Sequence, residues 1–122
     1  MRLEERFVPA TARIGGRVTI VEVHGPMVRD EGEPIVLLDA LRAAVERGDL
    51  HIVLNVAEVA TVDSLWLGAL VQGYTTATRR AGSIKLVHVS RRFRELLAVT
   101  KLDRVLELYD SEADAVASFA LT

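Results

Sequence analysis

A short run of consecutive apolar residues followed by a long helical pattern constrains the fold of this chain most strongly. The run is His51-Ile52-Val53-Leu54-Asn55-Val56, and its β-branched composition predicts a strand that is covered on both faces. The helical pattern extends from Ser64 to about Ala81, with apolar residues at three- and four-residue spacing, and Gly82 closes it. A buried strand that leads into an amphipathic helix predicts a β-α-β unit.

The remaining segments repeat this alternation and predict one α/β domain over residues 1–122, a usual length for a single domain. Further strands are expected at Glu4–Ile14, Val18–His24, Ile84–Val89 and Arg104–Tyr109. Further helices are expected from Pro34 to about Gly48, after Ser90, and after a cap at Asp110 or Ser111. Gly15-Gly16 predicts an antiparallel hairpin between the first two strands. The expected sheet therefore has about five strands, mostly parallel with an antiparallel N-terminal edge, and about four helices.

Charge and composition limit the classes of partner and chemistry. Fifteen Lys and Arg against 17 Asp and Glu give a net charge of −2, so no global field favours nucleic acid or an anionic membrane. The absence of cysteine excludes disulfides and thiol chemistry, and the three histidines lack metal-ligand spacing, so no metal or cofactor is expected. The charged start Met1–Arg6 and the lack of an apolar run of ~20 residues predict a cytoplasmic protein.

The start of the second helix carries the most informative polar pair, Asp63-Ser64. Unpaired backbone N–H groups and the positive end of the helix dipole favour a negative charge at such a position. A phosphate on the Ser64 hydroxyl would suit that environment. Aspartate and serine are also both favoured N-cap residues, so Ser64 could simply cap the helix. Spacing alone leaves both hypotheses open.

The same junction, with Gly68 following it and strand patterns at Ile52–Val56 and Gly82–Val87, resembles the STAS domain of anti-sigma-factor antagonists. In that family the serine of an Asp-Ser pair is phosphorylated by a partner that is both kinase and anti-sigma factor. The resemblance implies that Ser64 is the phosphorylated residue, that Asp63 is its acidic neighbour and that the chain is not an enzyme. The unphosphorylated form would bind the anti-sigma factor and release the sigma factor, nucleotide would be bound by the partner, and a phosphatase would reset the switch.

The resemblance also places part of the partner surface in the loop after the second strand. The family's Gly-x-hydrophobic element falls on Gly25-Pro26-Met27, which implies that Met27 contacts the partner. Asp30 follows and would add an acidic group near Ser64. Acids are equally expected in a solvated turn before a helix, so both interpretations of Asp30 remain open.

Leu65 and Trp66 complete the expected partner surface beside Asp63. They stand where many antagonists have a small residue and a glycine. We expect Trp66 to lie on a partly exposed row with Ala69 and Gly73 and to anchor the partner, because exposed tryptophans dominate binding energy at interfaces. A position in the core is the alternative for Trp66.

A basic cluster, Arg91, Arg92 and Arg94, opens the helix that follows Ser90. The dipole disfavours cations at a helix N-terminus, so the cluster is either a binding surface or a solvated face.

Two other functions remain open at this point. One is a STAS scaffold or regulatory subunit, in a stressosome-like assembly or with a membrane transporter, where Ser64 would be only a cap. The other is a small-ligand-binding α/β domain or enzyme, although no Gly-x-Ser-x-Gly elbow or phosphate-binding glycine loop occurs in the chain. Self-association into a homodimer is compatible with either function.

Overall fold

The computed structural model describes residues 7–13, 17–23, 34–59 and 62–119, and over these ranges strands and helices alternate. The strands are β1 (Phe7–Arg13), β2 (Arg17–Val23), β3 (His51–Asn55), β4 (Ser83–Val87) and β5 (Glu107–Tyr109). The helices are α1 (Pro34–Glu46), α2 (Ser64–Arg79), α3 (Arg91–Val99) and α4 (Glu112–Phe119), and a 3₁₀ turn at Leu102–Arg104 precedes β5. The predicted α/β class is confirmed.

The strands form a single sheet in the order β1-β2-β3-β4-β5. Strands β2 to β5 are parallel to one another, as connections through helices require. β1 pairs antiparallel with β2, and its residue Pro9 is in register with Val21. Proline has no N–H to donate to a second neighbour, which suits a strand at the edge of a sheet. The predicted turn at Gly15-Gly16 lies outside the described residues.

The two faces of the sheet are covered by different helices. One apolar cluster packs α1, α2 and α3 against Ile52 and Leu54 of β3, and a smaller cluster packs α4 against Val53 on the opposite face. All three of these β3 side chains are 0% exposed. The prediction of a strand covered on both faces is therefore confirmed.

β4 carries one charged side chain into the interior, on the side of α4. Lys85 is 7% exposed, and its Nζ lies 3.1 Å from Glu107 Oε2 and 4.1 Å from the ring centroid of Phe119. The same ammonium donates a hydrogen bond of 2.5 Å to Ser118 Oγ. These contacts offset the cost of removing the ammonium from water, and they tie α4 to β4 and β5.

β5 is shorter than the sequence pattern predicts. The pattern indicates a strand over Arg104–Tyr109, but the strand begins at Glu107. The backbone N–H groups of Val105 and Leu106 both donate to Leu102 O, at 3.0 and 2.8 Å. The residues before Glu107 are therefore held in a tight turn and do not join the sheet.

α2 buries a second row of side chains that the sequence analysis places partly at the surface. Trp66 and Ala69 are 0% and 5% exposed, and Gly73 is also buried. α1 packs directly over this row, since a Cβ added at Gly73 would lie 3.2 Å from Leu41 Cβ and closer still to Leu41 Cδ1. The expectation that this row is partly exposed is wrong, because small residues let α1 approach α2 closely.

We predict that Gly73→Ala destabilises the protein although alanine is the better helix former. The added methyl group would force Leu41 or α1 to move, and overpacking of a core costs about 1–3 kcal/mol. Gly68 in the same helix is the matched control, since a Cβ there meets nothing within 4 Å. Gly68→Ala should therefore raise the free energy of unfolding by about 0.5–1 kcal/mol. Urea denaturation compares the two variants, and a stabilised Gly73→Ala protein would contradict the close contact.

Candidate functional site

The start of α2 is capped by the side chain of Asp63. The carboxylate Oδ1 of Asp63 accepts a hydrogen bond of 3.0 Å from the backbone N–H of Trp66, and the backbone of Asp63 is extended. Its carbonyl oxygen accepts the first helical hydrogen bond, from Leu67 N at 3.0 Å. Asp63 is therefore the N-cap residue, as the sequence analysis allows, and Ser64 is the first residue inside the helix.

The Ser64 side chain is exposed and takes no part in capping. At the starts of α3 and α4 the serine itself caps the helix: Ser90 Oγ accepts from Phe93 N at 3.2 Å, and Ser111 Oγ accepts from Asp114 N at 3.1 Å. The hypothesis that Ser64 is only a cap is wrong, because Asp63 already fills that role. Its hydroxyl remains available for chemistry.

The segment before this helix is attached firmly to the end of β3. Val56 and Val59 are 0% exposed, and Val59 N donates to Val56 O at 2.9 Å. Asn55 accepts from Ala57 N at 2.9 Å through Oδ1 and donates to Glu112 Oε2 at 2.6 Å through Nδ2. These contacts link the approach to Ser64 with both the core and α4.

The two apolar residues after Ser64 point in different directions. The Leu65 side chain is 52% exposed, whereas Trp66 is 0% exposed and belongs to the main core. The prediction that Trp66 offers its indole to a partner is wrong, since the side chain is inside the domain. Leu65 is the apolar side chain that this end of α2 presents to solvent.

A shallow groove of about 290 Å³ lies beside the helix start. It is lined by Val62, Arg92, Glu95, Leu96 and Val99. Val99 is 80% exposed, and Val62 and Leu96 are partly buried at the edge of the main core. The groove therefore combines three apolar side chains with one basic and one acidic side chain, and we call it the α3 groove.

The remaining predicted contact residues, Met27 and Asp30, lie outside the described residues together with the rest of residues 24–33. Their predicted roles stay predictions.

Comparison with known proteins agrees with this geometry. A family model described as "Mlab, STAS domain" matches residues 10–108. The chain belongs to the STAS domain family. A Thermotoga neapolitana protein named as an anti-sigma factor antagonist and TM1081 homologue is 29% identical to this STAS domain over 72 residues. That alignment covers 59% of this chain and 64% of the relative, so the two share slightly less than two thirds of the relative's length.

Solved structures share the fold of this STAS domain. The crystal structure of an anti-sigma factor antagonist from Thermotoga maritima matches with a TM-score of 0.82 at 20% identity, over 94% of this chain and 95% of that one. The Bacillus cell fate determinant SpoIIAA in its phosphorylated form matches with a TM-score of 0.66 at 14% identity, over 92% and 99% of the two chains. At such identities the similarity establishes a common fold.

The described residues offer neither a cluster of metal ligands nor a membrane-spanning helix. No group of three or more His, Asp or Glu side chains among them is placed to hold a metal ion. No helix in the same part of the chain is both long and apolar enough to cross a membrane.

The α3 groove is the part of this site that the sequence analysis misses. Its residues come from two segments that are about 30 positions apart in the printed sequence, and only the fold brings them together. A partial signal exists, because Arg92, Glu95, Leu96 and Val99 recur at helical spacing along one side of α3.

We predict that the two residues of the Asp63-Ser64 pair differ sharply in their effect on stability. Asp63→Ala removes the cap of α2 and should lower the free energy of unfolding by about 0.5–2 kcal/mol. Ser64→Ala removes an exposed hydroxyl that caps nothing and should change it by less than about 0.5 kcal/mol. Ser90→Ala is the control for loss of a serine cap, with an expected cost of about 1 kcal/mol. A larger loss for Ser64→Ala than for Asp63→Ala in thermal or urea unfolding would overturn the assignment of the cap.

Proposed function

We propose that this STAS domain is an anti-sigma-factor antagonist that is switched by phosphorylation of Ser64. The observation that carries the proposal is the exposed Ser64 hydroxyl at the first position of α2, with the cap already provided by Asp63. The unphosphorylated protein binds an anti-sigma factor that is also a serine kinase and so releases the sigma factor. The names of the Thermotoga relatives and the phosphorylated structure of SpoIIAA support this proposal.

Phosphate transfer uses only the Ser64 oxygen of this chain. In the proposed reaction the partner holds ATP, a bond forms between the γ-phosphorus and Ser64 Oγ, and the bond to the departing ADP breaks. The hydroxyl proton leaves to a base of the partner. No Gly-x-Ser-x-Gly elbow surrounds Ser64 in the sequence, which favours a substrate and binding module over a hydrolase.

The charge change explains how phosphorylation would end binding. A phosphate adds about −1.5 to −2 charges at neutral pH. The N-terminal end of α2 tolerates this charge, but Asp63 next to it is already negative. In a desolvated interface the added charge would be repelled and left without a partner, which strongly weakens association.

The surface around Ser64 supports a protein partner. Leu65 is half exposed, and Val62, three positions before it, lines the α3 groove together with Val99. We propose that Asp63 and Leu65 contact the anti-sigma factor directly, and that Met27 and Asp30 add contacts from the preceding loop. A polar rim around exposed apolar side chains is the usual arrangement of such interfaces.

We predict opposite effects for two substitutions of Ser64. Ser64→Ala should keep partner binding and abolish phosphate incorporation, because the acceptor oxygen is gone. Ser64→Asp should fold with unchanged stability yet lose at least about tenfold in affinity, since a charge enters the interface beside Asp63. The partner is first isolated from an extract of the source organism with wild-type protein as bait and identified by mass spectrometry. Affinity and transfer of labelled phosphate from ATP are then measured.

The controls decide between the proposed function and its alternatives. Gln72→Asp adds the same charge at an exposed position of α2, eight residues beyond Ser64, and should bind like wild type. Equal binding of wild type and Ser64→Asp, with no phosphate transfer, would exclude the switch. A transporter or a large stress complex as the isolated partner would instead support a scaffold or regulatory subunit.

A further prediction concerns Leu65, which replaces Trp66 as the expected apolar contact. Leu65→Ala should weaken partner binding by about 2 kcal/mol, as truncation of an interface hot spot does, with melting nearly unchanged because the side chain is 52% exposed. Val105→Ala is the matched control, since Val105 is also an exposed apolar residue but lies outside the α3 groove. Equal affinities of both variants and wild type in titration calorimetry would remove Leu65 from the interface.

A further inference from the structure

The basic cluster at the start of α3 is divided among three different environments. Arg91 pairs with Glu95, with Nε 3.2 Å from Oε1. Arg94 lines a separate depression beside β5, together with Asp103 and Arg104. Arg92 lines the α3 groove together with Val62. The three arginines therefore have different surroundings, and Arg92 is the one that shares a groove with Val62, two positions before Ser64.

Arg92 lies where the local electrostatic field does not favour a cation. It lies in the first turn of α3, whose positive dipole end disfavours a positive charge. Its side chain is exposed, and among the described residues it makes no ion pair, whereas Arg91 has Glu95. An anion that enters the groove would gain a charge-assisted contact with Arg92 without displacing an existing partner.

Ser64 is close enough to supply that anion. Val62 and Arg92 line the same groove of about 290 Å³. One residue, Asp63, separates Val62 from Ser64, so their Cα atoms are at most about 7 Å apart. Both Ser64 and Arg92 are exposed, so neither side chain is held in place by core packing. A phosphate on Ser64 and the Arg92 guanidinium can therefore meet above Val62, and guanidinium groups bind phosphate through two parallel hydrogen bonds.

We propose that Arg92 receives the phosphate of phosphorylated Ser64, and that this intramolecular contact covers the α3 groove. The inference rests on the proposed phosphorylation of Ser64. In the unphosphorylated protein the groove and Leu65 stay open to the anti-sigma factor. In the phosphorylated protein the phosphate occupies the groove entrance, so the partner loses an apolar docking surface in addition to meeting a repulsive charge.

Within the described part of the chain two carboxylates oppose the contact, and each already has a partner. Asp63 is adjacent to Ser64, but its Oδ1 is directed to Trp66 N at the helix cap. Glu95 lines the same groove and is paired with Arg91. The N-terminal end of α2 adds a favourable field for the phosphate.

The test uses protein in which phosphoserine is installed in place of Ser64 during translation, without any kinase. Phosphorus NMR then follows the pKa of the phosphate in otherwise wild-type protein, in Arg92→Gln and in Arg94→Gln. A nearby guanidinium favours the dianion, so we expect Arg92→Gln to raise the pKa of the phosphate by about 0.5 relative to wild type. Arg94→Gln removes the same charge from the same helix but faces the other depression, and it should leave this pKa unchanged. The difference between the variants should shrink at about 1 M salt.

A second readout reports closure of the groove. Phosphorylation should shift the amide signals of Leu96 and Val99 in wild type and leave them nearly in place in Arg92→Gln. Equal phosphate pKa values in all three proteins would overturn the proposal, and so would equal shifts in both arginine variants, because these would reflect net charge alone. Since no kinase is used, these outcomes are independent of the proposed function. Failure of the partner to phosphorylate Ser64 would remove the switch, whereas an unchanged phosphate pKa would remove only the role of Arg92.

Discussion

The hydrogen bond from Trp66 N to Asp63 Oδ1 is the interaction on which the functional end of the domain depends. It fixes the first turn of α2 at Asp63, so that Ser64 becomes the first helical residue and its hydroxyl needs no structural role. The same Trp66 supplies a fully buried side chain that holds this turn against the core. Trp66 thus donates the cap hydrogen bond through its backbone and anchors the helix through its indole. Together these two contacts fix the position of Ser64 at the start of α2.

Most of the fold could be predicted because the sequence patterns that indicate each helix and strand lie within that one segment. Leu37, Leu41 and Val45 recur at helical spacing, and all three are buried in α1. The apolar run at β3 and the cap at Ser90 are likewise features of a few consecutive residues. The predicted exposure of Trp66 is wrong because the burial of this side chain depends on how α1 packs against α2. These two helices are separated along the chain by β3, so no local pattern encodes their contact.

The candidate site could be predicted only in part, for the same physical reason. The sequence singles out Asp63 and Ser64, but both residue types are good caps, so spacing cannot tell which one fills that role. The hydrogen bond to Asp63 decides it. The α3 groove depends on tertiary packing that brings α3 beside Val62, and no periodicity within one segment encodes that. The hypothesis that Ser64 is phosphorylated comes from the family resemblance. The exposure of Ser64 is consistent with it, because a kinase could reach the side chain.

The cap of α2 and the proposed phosphate acceptor are two neighbouring residues, Asp63 and Ser64, and this arrangement affects how stable the protein stays in a cell. A serine kinase phosphorylates hydroxyl groups and not carboxylates, so the proposed phosphorylation of Ser64 would leave the capping hydrogen bond of Asp63 in place. Under the proposed phosphorylation the cap therefore keeps its contribution to the free energy of unfolding, and with it its part in protecting the chain from proteases that act on unfolded molecules. Had Ser64 been the cap, every cycle of modification would also have altered how long the molecule survives.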